Sequence, residues 1–326
     1  MWHMAKRFIA GERTLDGLRV AQKLNGFSMH AILDHLGEEV TGREGIEDAV
    51  QSYEDLVEGI AAQKCNADTS LKLSQFGIRS SHAVRQFINR SDHSDLFHIL
   101  HLMNFRGIRP WLDAERLAMR DPQWQFVQYV IKKLKLPFLG TAFQAYGVSP
   151  YDSMEFFKAV IPSLLGQIPS QCTLGIRLCL GAYRYSESDI IRNKKELHAR
   201  YCELLKYFFE HIAVFLEGGP RVPFYLECAS HDPARIEAAL RYAEDYDIPK
   251  EHYRLAFLYG RQQSIASHLV KQGVNVAVYI PFGAEWSPYI LRRIVENPAH
   301  VLLPFKREGT YHDCRSWPDE CTLLKS

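Results

Sequence analysis

The sequence predicts an α/β protein built as a (β/α)8 barrel of the TIM type, with an extra N-terminal helix before it and a C-terminal tail after it. Three observations predict this. Eight short aliphatic or β-branched runs alternate with longer amphipathic stretches. The 326 residues exceed one ordinary domain but suit one α/β barrel. No low-complexity linker or sequence repeat divides the chain. Parallel neighbours need helical crossovers of one hand, so eight such units can close on themselves, although an open doubly wound sheet would show the same local alternation.

The expected strands, in order, are 27–33, 68–74, 108–113, 138–145, 172–180, 223–229, 253–258 and 274–280. Each ends in a polar or glycine-containing corner. The expected helices are 45–62, 81–91, 121–135, 151–165, 188–217, 232–247, 263–272 and 286–297. Ser149-Pro150 precedes the fourth helix, and His231-Asp232-Pro233 opens the sixth with a cap and a first-turn proline. Residues 1–26 read as an N-terminal helical segment, 27–298 as the barrel and 299–326 as a tail carrying Trp317 and Pro318.

Composition narrows the function. Apolar residues make up 47% and charged residues 24%, which fits a soluble globular chain. Lys and Arg number 39 against 38 Asp and Glu, so the net charge of +1 gives no electrostatic reason to expect a nucleic-acid partner. Seven scattered cysteines without a C-x-x-C pair read as free thiols of a reducing compartment, so a cytoplasmic chain is expected. No apolar run approaches the ~18 residues of a membrane span. Residues Met1–Arg7 lack an apolar signal core, while peripheral contact with a membrane surface stays compatible.

Barrel chemistry sits at the C-terminal ends of the strands, where five successive corners carry polar residues. Ser70, Lys72 and Ser74 alternate with Leu71 and Leu73 and so share one face of the second strand. Asp113 ends the third strand, Gln144 the fourth, Arg177 lies in the fifth, and Glu227 through His231 close the sixth. Each alone could be a satisfied core polar group or a solvated loop residue. After the last strand, Tyr289, Arg292, Arg293 and Glu296 project from neighbouring sectors of one helix. Two guanidiniums oriented by a carboxylate make a clamp for a ligand carboxylate, and the competing interpretation is a surface salt-bridge cluster of little worth.

These residues fall into a pattern that resembles the proline dehydrogenase family. The resemblance rests on Tyr-x-x-Arg-Arg-x-x-Glu-Asn at Tyr289–Asn297 and on Tyr279, Pro281, Phe282 and Gly283 before it. It includes Leu33-Asp34-His35-Leu36-Gly37-Glu38, Lys72-Leu73-Ser74, Leu258-Tyr259-Gly260 and the opening Phe8-Ile9-Ala10-Gly11-Glu12. It spans roughly residues 8–298. The resemblance implies a distorted (β/α)8 barrel with FAD across the strand ends. Gln144, Arg177, Ala182, Tyr183, Ser230 and His231 match flavin-contacting positions, with Glu296 close by. Arg292, Arg293 and Lys72 match the residues that hold a substrate carboxylate, and Tyr279, Tyr289 and Leu258 the walls around a proline ring. Asp113 matches an acidic residue beneath the pocket, and Lys72, Asp113 and Arg177 are the implied catalytic residues. The implied reaction is hydride transfer from L-proline to flavin N5, giving 1-pyrroline-5-carboxylate. A quinone or another acceptor would then take the electrons, which would suit peripheral contact with the inner membrane.

The chain departs from the family in places. The family's fifth strand usually reads Arg-Leu-Val-Lys-Gly-Ala-Tyr; here Leu180 stands at the lysine, Arg184 follows Tyr183, and His231-Asp232 replaces the commoner His-Asn. Strand parity puts Leu180 on the face opposite Arg177. Two rivals follow: a flavoprotein acting on another cyclic amino acid, such as a hydroxyproline or a biosynthetic imino acid, and a catalytically silent ligand-binding barrel. A metal site at His93, His98 and His101 lacks a strong motif, and amphipathic-helix histidines explain the spacing better. No metal is expected. Neither G-x-G-x-x-G after a strand nor G-x-x-x-x-G-K-[ST] occurs, which disfavours nicotinamide and triphosphatase chemistry.

Overall fold

The computed structural model describes residues 5–89, 95–147, 154–181, 190–219 and 221–296. Eight parallel strands close into a barrel in chain order: β1 His30–His35, β2 Ala67–Leu71, β3 Pro110–Leu112, β4 Phe138–Gln144, β5 Thr173–Cys179, β6 Phe224–Ala229, β7 Tyr253–Leu258 and β8 Val276–Phe282. The seam pairs β1 with β8, Asp34 opposite Pro281. The alternation therefore closes; the open-sheet arrangement is not adopted.

The helices are α1 Thr14–Asn25, α2 Gly42–Ala62, α3 Ser81–Asn89, α4 Asp95–Phe105, α5 Arg120–Tyr129, α6 Met154–Leu165, α7 Lys194–Glu217, α8 Pro233–Asp245, α9 Gln263–Lys271 and α10 Trp286–Glu296. Most expected segments recur with shifted ends. Helix α8 starts as read: Asp232 Oδ1 accepts from Ala234 N at 3.0 Å and Pro233 fills the first turn. Helix α7 starts at Lys194, where the Asn193 side chain accepts from the amides of Lys195 and Glu196. The segment expected at 121–135 runs as α5 and then a π turn over Val130–Leu134, ending at Lys135 with φ 52°. Ser149-Pro150 and the tail after 296 lie outside the described residues.

Helix α4 is not among the eight expected helices, although His98 and His101 read there as residues of an amphipathic helix. Its run DLFHILHLMNF buries Leu96, Phe97, Ile99, Leu100 and Met103, leaving a narrow polar edge that blurs a helical period. His98 and His101 lie on that exposed edge, and His98 Nε2 sits 2.7 Å from Glu54 Oε1 of α2.

Helix α1 packs across both β1 and β8 and so covers the barrel wall at the seam. Helix α10 instead places Tyr289 and Ile290 with Ala5, Phe8, Ile9 and Leu36, above the end of β1. The N-terminal segment is tied there by Ala10 N to Pro281 O at 2.9 Å and Gly283 N to Gly11 O at 3.0 Å. The resulting brace fixes α10 at the C-terminal mouth of the barrel.

Two cores result. The outer one lies between strands and helices and is apolar, with Leu174, Ile176 and Leu178 of β5 facing Phe208 and its neighbours on α7. The inner one is not. Near its floor Trp111 packs with Phe138 and Tyr225. A Cβ on Gly140 would come within 2.2 Å of the Trp111 ring, and one on Gly175 within 2.8 Å. These two glycines thus make the space the indole fills. Above the indole the barrel carries charge.

Candidate active site

Strand alternation turns Asp34, Asp68, Ser70, Arg177, Glu227, Arg254 and Tyr279 into the barrel, and Lys72 and Asp113 follow directly after β2 and β3. Lys72 Nζ lies 2.8 Å from Asp34 Oδ1 and 3.8 Å from Asp113 Oδ2. Asp113 Oδ1 accepts from Arg177 Nη1 at 2.6 Å, and its Oδ2 accepts from the Tyr279 hydroxyl. Arg177 Nη1 also donates to Ser70 Oγ at 3.0 Å, and its Nε donates to Glu227. Below, Arg254 donates through Nε to Glu227 Oε2 at 2.5 Å and through Nη2 to Asp68 Oδ2 at 2.5 Å. Trp111 Nε1 donates to Asp68 at 3.0 Å. A continuous column of charge therefore runs from the mouth down to Asp68.

Burial and pairing compete at each of these groups. Burial opposes the charged form of Lys72, but Asp34 and Asp113 outweigh it and hold the ammonium well above its usual range. For Glu227 burial again opposes ionisation, and Arg177 and Arg254 prevail, lowering its pKa. Asp68 is lowered likewise, against burial, chiefly by Arg254 and His30. At Asp113 burial wins and raises the carboxyl despite Arg177 and Lys72. Burial, then the adjoining Asp113 charge, drives the Tyr279 hydroxyl well up, so it stays a donor.

Of the sequence-predicted residues, Lys72, Asp113, Arg177 and Tyr279 converge in one cluster. Leu258 is opposite Tyr279 in the strand register. Its amide donates to His231 Nε2 at 3.4 Å, and Ser230 Oγ accepts from Asp232 N at 3.1 Å, so the sixth and seventh corners adjoin. Gln144 Nε2 donates to the Glu115 carbonyl at 3.0 Å on the β3–β4 side. Tyr289 is buried in the brace beneath α10. Ala182 and Tyr183 lie outside the described residues, as do the side chains of Arg292, Arg293 and Glu296, although helix α10 is described through those positions.

Two details amend the sequence expectation. Ser74 does not share the face of Ser70 and Lys72: β2 stops at Leu71 and a 3-10 turn covers Leu73–Phe76, where the Ser74 amide donates to Glu115 at 3.1 Å. Asp34, Glu227 and Arg254 belong to the cluster but were not among the expected site residues. The strand expected at 27–33 runs over 30–35, because Gly26, Phe27 and Ser28 (φ 59°) turn the chain after α1. That shift places Asp34 inside the barrel. The signal was a carboxylate interrupting the apolar run Ala31-Ile32-Leu33.

A flavin at this mouth can be tested against the donors present. Of the five N–H groups of Arg177, three reach Glu227, Asp113 and Ser70. The remaining nitrogen, Nη2, is buried and has no hydrogen-bond partner among the described residues. An electron-rich ring edge within reach of that nitrogen would satisfy it, so the residues fit a flavin. Leu180, just past the end of β5, is half-buried and packs against the main apolar cluster. Among the described residues no helix is long and apolar enough to cross a membrane.

The chain was compared with known proteins. The family model for proline dehydrogenase matches residues 18–301. Proline dehydrogenase 1 of Bacillus subtilis is 24% identical over 306 residues, covering 93% of this chain and 89% of that protein. The proline dehydrogenase of Deinococcus radiodurans is 24% identical over 310 residues, covering 92% and 88%. Proline utilization A (PutA) from Bdellovibrio bacteriovorus, solved after inactivation by N-propargylglycine, superposes with a TM-score of 0.77 at 23% identity. The superposition covers 90% of this chain, which spans about a third of that structure, and supports the fold alone. The match over residues 18–301 of 326 is decisive: the chain belongs to the proline dehydrogenase family.

Proposed function

We propose that this chain oxidises L-proline to 1-pyrroline-5-carboxylate, using FAD held across the barrel mouth. Family membership supports oxidation of proline in general. The observation that carries the finer reading is the mouth cluster itself, in which Lys72, Asp113, Arg177 and Tyr279 meet. When bound, FAD would supply the two-electron acceptor at its N5 atom.

The chain's own residues would do the rest. Gln144, Arg177, Ala182, Tyr183, Ser230, His231 and Glu296 would hold the flavin, with the free Nη2 edge of Arg177 favouring negative charge as electrons arrive. Arg292, Arg293 and Lys72 would grip the substrate carboxylate, and Leu258, Tyr279 and Tyr289 would enclose its ring. Asp113 holds Lys72, Arg177 and Tyr279 in fixed relation from below. The proline amine would react in its deprotonated form: its lone pair would form an iminium bond as hydride leaves the adjacent ring carbon, and loss of the remaining N–H proton to water would give the neutral imine. A quinone or another acceptor at a membrane surface would reoxidise the cofactor. Lys72 and Arg177 remain paired in the mouth although Leu180 stands at the family's lysine, which supports proline turnover over a silent barrel.

The test is a visible spectrum of protein incubated with FAD, followed by anaerobic addition of L-proline and, separately, hydroxyproline. Retained flavin absorbance bleached preferentially by L-proline is expected. Folded protein that stays colourless after FAD addition refutes the proposal.

A further inference from the structure

Barrel interiors are ordinarily filled with layers of branched apolar side chains. This one holds Lys72, Arg177 and Arg254 against Asp34, Asp113, Glu227 and Asp68, all buried. Buried ion pairs roughly break even against apolar packing, so stability alone does not account for such a column. In its upper part, beside Lys72 and Asp113, Arg177 is restrained at Nε and Nη1. Within the guanidinium plane, Glu227 takes Nε, while Asp113 and Ser70 take Nη1. The rings of Trp111 and Tyr279 also lie against it, their centres 4.7 and 5.4 Å from Cζ. Exchanging any one acceptor would rotate the fork and present a different edge to the mouth.

Glu227 is 0% exposed and has its own restraint, because Arg254 holds its second oxygen. Arg254 is held in turn by Asp68 and lies 5.5 Å from the Trp111 ring centre. The carboxylate of Glu227 is thus shared between a mouth arginine and a floor arginine. We infer that Glu227, locked from below by Arg254 and Asp68, is a positioning residue for Arg177: it fixes which nitrogen faces the cofactor and, through its shared charge, sets how strongly the mouth favours the reduced flavin. This rests on the flavin reading of the site.

Charge counting gives the inference a signature that mere structural support would not produce. Removing the Glu227 charge leaves Arg177 less neutralised, so the reduced, anionic cofactor is favoured. Removing the Arg254 charge leaves Glu227 less neutralised, so it is disfavoured. Removing Asp68, one layer lower, acts in the first direction but more weakly. A loss of packing would move all three variants the same way or not at all.

The experiment measures the midpoint potential of FAD bound to the full chain, against a reference dye, in the parent and in Glu227→Gln, Arg254→Gln and Asp68→Asn. Glu227→Gln should raise the ratio of reduced to oxidised flavin about tenfold at a fixed dye poise, about 30 mV for a two-electron couple. Arg254→Gln should lower that ratio, and Asp68→Asn should raise it by less than Glu227→Gln. In turnover, Glu227→Leu should lose kcat while Glu227→Gln, which keeps an acceptor for Nε, retains most of it, and KM for L-proline should stay within about twofold in both. Potentials equal to the parent's, or displaced in one direction in every flavin-bound variant, overturn the inference. A parent that binds no FAD defeats the flavin reading and the inference with it, whereas a flavin-bound parent with unresponsive variants defeats the inference alone.

Discussion

Replacing Lys72 by Met separates the structural and functional roles of the mouth. The ammonium lies 2.8 Å from Asp34 and 3.8 Å from Asp113, with 6% of its side chain exposed. At an effective dielectric near 20, those distances correspond to about 6 and about 4 kcal/mol of gross attraction. Desolvation of the three ions cancels most of this, and breaking a buried pair typically costs about 3–5 kcal/mol, because the stranded carboxylate keeps its burial penalty. The expected loss for Lys72→Met in urea unfolding at pH 7 is therefore about 3–5 kcal/mol, a large share of a typical domain's stability. Adding Asp34→Asn removes the stranded charge and should recover at least half of that loss. Substrate affinity should behave otherwise. If Lys72 also holds the substrate carboxylate, KM for L-proline should rise at least tenfold in the single variant and stay high in the double variant. Full recovery of KM by Asp34→Asn would refute a carboxylate-binding role for Lys72, and a single variant as stable as the parent would refute the energetic reasoning.

Three other outcomes are expected. Gly140→Ala forces a Cβ to 2.2 Å from a Trp111 ring already held by Asp68, and should destabilise by about 3 kcal/mol, the upper end of ordinary overpacking, in chemical denaturation. Glu227 and Asp68 have pKa values depressed by folding, so their contribution is full above the ordinary values of 4.5 and 3.8 and is lost as pH falls. The urea midpoint should therefore drop below about pH 4.5, and more gently in Glu227→Gln. Asp113, raised in the fold, acts in the opposite sense as pH rises through its folded value. Arg292→Lys or Arg293→Lys should raise KM for L-proline while leaving the flavin spectrum in place, and unchanged kinetics in both would remove them from the substrate pocket.

The fold was legible because eight short aliphatic or β-branched runs alternate with longer amphipathic stretches, and each of the eight strands was found within a few residues. Helix α4 escaped because burial on most of its circumference erased the periodicity that marks a surface helix. The upper site was legible in part. Lys72 and Asp113 follow strand ends and Arg177 lies near the end of β5, where alternation and corner position made them candidates and the family resemblance singled them out. Glu227 and Arg254 did not declare a role, since a charge within a strand reads equally as an outward-facing residue until register is known. Their partnership depends on Glu227 pairing with Arg254 across β6 and β7, and on Asp68 reaching over from β2. Sequence order carries neither fact.

The brace at the mouth has a consequence for how the molecule is assembled. Trp286 Nε1 donates to Glu12 Oε1 at 3.1 Å across 274 positions of sequence, and a Cβ on Gly260 would lie 1.7 Å from the Arg7 carbonyl. Residues 5–12 are made before any strand of the barrel, yet their docking surface forms only when β8 and α10 arrive. Such distant contacts carry the largest loop-closure cost and are made late. Helix α10 is therefore among the last elements of the barrel to gain its support, and the nascent barrel holds an open seam until β8 has been made.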